Sequence, residues 1–247
     1  YTIHNKVTQS QAIVVRRKNT GAKKRDQNVV FVAIRGTQEL KDLAFDAKAT
    51  TSKRYDTHVH NGFKRATLGI SSKVVDIINK SFGGERKAKA RAGAKIYVTG
   101  HSLGGAMAIL LGLELNRLGY TVKGVMTFGQ PRVMTKRDKS FPFLYLRWVN
   151  QNDVVPQVPP IPFRHYGSLQ RIKSKKRMSW SAKRLISGLI KKKRPPLKTL
   201  KRFFKPIGDH SMVNYANHCQ KKAGHWSRQD TGMPLWGTTK KTMREKF

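Results

Sequence analysis

Acidic residues are scarce in this chain. Asp and Glu total 13 in 247 residues, against 51 Lys and Arg, which leaves a net charge of +38. A small soluble domain usually carries a net charge of magnitude about 2–8. A field of this size attracts nucleic acid, anionic membrane surfaces and other polyanions, whatever fold lies beneath it. It also strains the compact state by self-repulsion, so salt dependence is expected. Cysteine is nearly absent. Cys219 alone excludes an internal disulfide and a Cys-type metal cluster, and it reads as a small, partly buried hydrophobe. Long apolar runs are lacking too. The stretch Ala106–Leu113 is far short of the roughly 20 residues a membrane span needs, so a soluble or peripheral chain with no transmembrane segment is expected. The chain opens on Tyr1 without Met and without a signal-like segment, which is compatible with a leader having been removed.

What is present reads as a folded protein. Hydrophobic residues make up 38% and fall in runs between turn signals. The length suits a single α/β domain over 1–247 with a sizeable core. Ala12–Arg16 reads as a strand. Val29–Ile34 (VVFVAI) is a continuous apolar run, as a buried central strand would be. Apolar residues at helical spacing (Ala66, Ile70, Val74, Ile77, Ile78) predict an amphipathic helix over Phe63–Phe82, stopped by Gly83-Gly84. Lys95–Thr99 reads as a short strand, Gly105–Leu118 as an apolar helix, and Val122–Phe128 and Leu144–Val149 as two more strands. Strand and helix in alternation predict a largely parallel central sheet flanked by helices.

Composition then shifts. No acid lies between Asp153 and Asp209, and residues 171–205 hold 15 Lys or Arg. Within this basic insert Ala182, Leu185, Ile186, Leu189 and Ile190 repeat at helical spacing, and Pro195-Pro196 breaks the pattern. The stripe fits packing against the sheet with a solvated Lys face. It also fits a basic helix lying on an anionic membrane.

The sharpest chemical signal is Gly100-His101-Ser102-Leu103-Gly104. A serine nucleophile needs its hydroxyl held out at a strained strand-to-helix turn, where flanking glycines let backbone and helix approach closely. The pattern alone is weak, but here a strand precedes it and an apolar helix follows. His101 is expected to point elsewhere. In the α/β-hydrolase fold the order is Ser, then acid, then His. The acids after Ser102 are Glu114, Asp138, Asp153, Asp209, Asp230 and Glu245. Glu114 sits inside the following helix and Asp138 in a Lys/Arg-rich loop. Asp153 comes just after the strand LYLRWV, at the carboxyl end where such sheets place their sites. Downstream histidines are His165, His210, His218 and His225. His210 lies in a loop just before a helix and is the candidate base. His165 reads as a packing residue, and Asp209 as a cap of the next helix. The oxyanion hole needs two waiting backbone N–H groups. Leu103 follows the nucleophile, and Thr37 leaves the run VVFVAI, so these two are the candidates.

With those residues in hand, the chain resembles the class 3 lipases, the fungal-lipase-like branch of the α/β-hydrolases. The matching segments are Phe31–Thr37, Asp42-Leu43 to Asp46, Val59–Phe63, Val98–Ala106, Thr127–Val133, Val149–Pro160, Arg164–Gly167 and Asp209–Tyr215, in the family's order. The resemblance implies a triacylglycerol lipase or carboxylesterase that forms an acyl-enzyme, with no cofactor and no metal. It assigns Ser102, Asp153 and His210 to a triad and Thr37 and Leu103 to the oxyanion hole. It implies a short lid over about 38–55, a lipid or small ester substrate met at a lipid–water interface, and a secreted natural parent. The family does not need +38, and Asp42, Asp46, Asp153 and Asp209 all lie within the matched segments. That pattern fits a deliberately supercharged surface with core and site spared, or else a naturally basic lipase. The rival reading from another class is a cationic protein that binds nucleic acid or an anionic membrane on a hydrolase scaffold.

Overall fold

The computed structural model describes residues 1–17, 28–36, 50–82, 93–136, 140–172 and 210–230. The chain divides into two compact units, Tyr1–His210 and Ser211–Phe247. The first holds a seven-stranded sheet built from β1 (Thr2–Asn5), β2 (Ser10–Arg16), β3 (Val29–Ile34), β6 (Lys95–His101), β7 (Val122–Phe128), β8 (Leu144–Asn150) and β9 (Ser168–Ile172), in that spatial order. A separate antiparallel hairpin pairs β4 (Thr51–Arg54) with β5 (Thr57–His60). Helix α1 spans Asn61–Ser81 and α2 spans Leu103–Arg117. In the second unit α3 spans Met212–Asp230.

The sheet is mostly parallel. β1–β2 and β2–β3 pair antiparallel, and every pairing from β3 through β9 is parallel. Helices α1 and α2 pack on one face. There Val30, Val32 and Ile34 of β3, Ile96 and Val98 of β6 and Val125 of β7 are buried, against Phe63, Ile70 and Val74 of α1 and Ala106–Leu111 of α2. Burial of these side chains at roughly 25 cal/mol per Å² of apolar surface is the main force holding sheet to helices.

Strand β3 departs from the sequence expectation. The run VVFVAI is buried on alternate residues only, and Phe31 is 47% exposed on the other face, where it stacks on Tyr97. A run without a polar residue hides the two-residue period that burial imposes. The helix expected at Phe63–Phe82 begins two residues earlier, where His60 Nδ1 accepts the Gly62 N–H and caps it. The expected helix Gly105–Leu118 begins at Leu103, directly after the elbow serine.

The chain pattern did not announce the hairpin β4–β5. Its turn residues Tyr55 and Asp56 both have positive φ (54° and 61°), a geometry that usually takes Asn-Gly. Tertiary contacts secure it. Tyr55 Oη and Arg54 Nη2 each donate to Glu114 Oε2 at 2.8 Å, and Arg117 Nη2 donates to Glu114 Oε1 at 2.7 Å. Of the expected lid, residues 38–49 lie outside the described residues and Thr51–Arg54 form β4. Of the basic insert, Arg171 and Ile172 end β9, and residues 173–205 lie outside the described residues.

Candidate active site

The elbow forms because β6 and α2 meet without a spacer. Ser102, between them, has φ 59° and ψ −127°. The two glycines of the motif make the approach possible. A Cβ on Gly104 would collide with the carbonyl of Ile34, and one on Gly100 with the carbonyl of Gly104. Ser102 is buried, and its N–H donates to Phe128 O on β7 at 2.9 Å. The Ser102 carbonyl accepts from Gly105 and Ala106, so Leu103 stands at the start of α2. An N–H in the first turn of a helix has no acceptor inside that helix, and the helix dipole favours negative charge beside it.

Asp153 follows β8, and its carboxylate is fully buried. Its Oδ1 accepts the Val155 N–H at 2.9 Å, and its own N–H donates to Asn150 O at 3.0 Å. Its Oδ2 takes His210 Nδ1 at 2.8 Å. A carboxylate only accepts, so Nδ1 carries a proton, and in the neutral imidazole this places the lone pair on Nε2. His210 Nε2 is buried and has no hydrogen-bond partner among the described residues. Asp153 and His210 are therefore joined 57 residues apart in sequence.

Gly129 connects this pair to the serine. It follows Phe128, whose carbonyl holds the Ser102 N–H, and it has φ +56°. A Cβ at Gly129 would lie 2.7 Å from Asp153 Oδ2 and 2.9 Å from His210 Nδ1. The acid–imidazole pair thus rests directly against a bare Cα. Nothing in the sequence pattern marks a role for Gly129, although it sits within the segment Thr127–Val133.

His101 is the correction. The sequence predicts that it points elsewhere, yet its ring centroid lies 4.5 Å from that of His210, and its Nε2 lies 2.7 Å from the His210 carbonyl oxygen. Burial, then the neighbouring His210, lowers its pKa to about 4, so it is neutral at ordinary pH. His165 packs, as its sequence setting suggested. Its Nε2 donates to Pro156 O at 2.5 Å, and burial together with the Arg147 charge lowers its pKa to about 3. Glu114 is buried in α2 and spent on the hairpin. Thr37 lies outside the described residues, and so does Asp209. The residue before Thr37, Gly36, lies against the elbow. A Cβ there would be 3.2 Å from Ser102 Cβ.

Comparison with known proteins decides the lineage. The family model described as "Lipase (class 3)" matches residues 31–163, more than half of the chain. The chain belongs to the class 3 lipase family. It is 30% identical to a lipase of Rhizomucor miehei over 149 residues, covering 56% of this chain and 39% of that protein. It is 31% identical to a lipase of Rhizopus niveus over 159 residues, covering 60% of this chain and 40% of that protein. The crystal structure of a lipase from Rhizopus microsporus var. chinensis superposes with a TM-score of 0.57 at 26% identity, over 69% of this chain and 60% of that one. The chain thus spans about two fifths of the length of these two sequence relatives. Its sheet and helices are those of the α/β-hydrolase fold that such lipases share.

Proposed function

We propose that the chain hydrolyses carboxylic esters, acylglycerols among them, through an acyl-enzyme on Ser102. The observation that carries this is the Asp153–His210 hydrogen bond set against Gly129, one residue from the Phe128 carbonyl that holds the Ser102 N–H. His210 Nε2 takes the proton of Ser102 as its oxygen attacks the ester carbonyl. Asp153 fixes the tautomer and offsets the imidazolium charge. The oxyanion is held by the Leu103 N–H and by that of Thr37, the residue after Gly36. His210 then protonates the leaving alcohol, and water releases the acid by the same route. Membership of the lipase family and the relatives named as lipases support this reading.

The test is turnover of p-nitrophenyl esters of graded chain length at moderate salt, with Ser102→Ala beside the wild type. Serine-dependent hydrolysis supports the proposal, and the chain-length optimum separates esterase from lipase. Equal rates in both proteins would refute it.

The substrate-bearing partner we propose is a lipid–water interface. Among the described residues no helix is long and apolar enough to cross a membrane. The charge of +38 also favours anionic lipid and other polyanions such as nucleic acid, as a consequence of surface charge and separately from catalysis. Binding that falls steeply with salt, identically in Ser102→Ala, is the expected signature.

A further inference from the structure

Nucleophile and base come from distant parts of the chain, Ser102 from the end of β6 and His210 from the residue before the second unit. Productive attack needs their relative placement held closely, since a misplacement of about 1 Å costs on the order of 10²-fold in rate. The Asp153 carboxylate holds one edge of the His210 ring and leaves its backbone to other groups. His101 meets that backbone. It is the last residue of β6 and the covalent neighbour of Ser102.

We propose that His101 is a positioning residue for the base, tying the His210 backbone to the elbow through its Nε2–H and bracing the His210 ring with its own. This rests on the reading of His210 as the base. A carbonyl oxygen only accepts, so the 2.7 Å contact requires His101 Nε2 to carry the proton. The rings lie 35° apart at a centroid separation of 4.5 Å, a tilted packing that resists rotation of His210 about its side-chain torsions. Because His101 and Ser102 are consecutive, a shift of the elbow carries the base with it, and the distance between them is preserved. Neutrality completes the fit. A second positive charge at this distance would oppose the imidazolium that forms on His210 during acyl transfer. Burial keeps His101 uncharged there.

The experiment compares His101→Phe and His101→Gln with the wild type, on p-nitrophenyl butyrate, with rates expressed per folded chain from circular dichroism. Phe keeps a ring and loses the donor. The Gln Nε2 reaches about as far as the His Nε2 and keeps a donor. The expected result is a roughly 10- to 100-fold fall in kcat for His101→Phe, with KM changed less than about twofold, and recovery of most of that loss in His101→Gln. A residue that only fills space would lower the melting temperature and leave kcat per folded chain unchanged. That outcome overturns the proposal, and so does a His101→Gln enzyme as slow as His101→Phe. If His101→Phe does not fold, His101→Leu takes its place as the donor-free variant. Ser102→Ala run in parallel separates the two readings. If it matches the wild type, the hydrolase reading fails. If wild-type turnover is serine-dependent and His101→Phe is as fast, only the positioning role fails.

Discussion

At the scale of single residues, the most demanding position in the site is one without a side chain. Gly129 has φ +56°, where a Cβ is disfavoured by about 1–2 kcal/mol on its own. The larger effect is the collision with Asp153 Oδ2 and His210 Nδ1. Gly129→Ala should push the acid–imidazole pair out of line and lower kcat on p-nitrophenyl butyrate by roughly 10²-fold, with the sheet intact by circular dichroism. An unchanged kcat would show that the pair has room to give way. Asp153→Asn tests the tautomer. An amide in place of Oδ2 can donate to Nδ1, which would move the ring proton to Nε2 and remove the lone pair that His210 needs in its proposed role as base. A fall of about 10⁴ in kcat is expected, with only a small residue of activity. Activity near the wild-type level would remove Asp153 from the mechanism.

Among the secondary-structure elements, the junction of α2 with the hairpin β4–β5 makes acid stability readable. Burial pushes the Glu114 carboxyl up, but hydrogen bonds from Arg117, Arg54 and Tyr55 outweigh it and hold the pKa at about 2. The folded value lies below the ordinary glutamate value of 4.5, so this stabilisation is fully present above about pH 4.5 and is lost as pH falls toward 2. His101 and His165 add to the same trend from the opposite charge type. Their folded values of about 4 and 3 lie below 6.5, so the unfolded chain takes up protons first. Their contribution is present above about pH 6.5 and declines through pH 4 and 3. The melting temperature should therefore drop steadily from pH 6.5 downward. Glu114→Gln should flatten the part of that curve between pH 4.5 and 2 and cost about 1–3 kcal/mol at neutral pH. A melting temperature in Glu114→Gln that follows the wild-type curve below pH 4.5 would exclude this network as its cause.

For the whole molecule, net charge is the dominant variable. Fifty-one cationic side chains against 13 anionic ones repel one another across the folded surface. Raising salt from about 0.01 M to about 1 M shortens the screening length from roughly 30 Å to roughly 3 Å. The melting temperature should rise over that range, where most proteins with mixed surface charge change little. A flat or falling curve would mean that the charges are already far enough apart to be indifferent. The buried acids show where this chain retains negative charge. Among the described residues Asp153 and Glu114 are buried and each is bound to a cationic or imidazole partner, while Asp56 and Asp76 are exposed.

The sequence by itself determined the elements whose signals are local. Val29–Ile34 and Val122–Phe128 are strands with the bounds their composition gave, and the elbow is visible because its two glycines, its serine and the flanking strand and helix lie within about twenty consecutive residues. The order of the triad narrowed the candidates to the acids and histidines after Ser102, and local setting, just after the strand LYLRWV and in a loop before a helix, pointed to Asp153 and His210. Tertiary structure alone decided the rest. Strand β1 and the hairpin β4–β5 are four-residue strands, too short to show a period, and the hairpin turn is held by Glu114 from a helix about 60 residues away. Which face of β3 is covered depended on where α1 and α2 packed, which a run of uniformly apolar residues does not encode. Gly129 and His101 acquired their places only when β7, the elbow and His210 came together, because close approach in space leaves no mark on the spacing of residues along the chain.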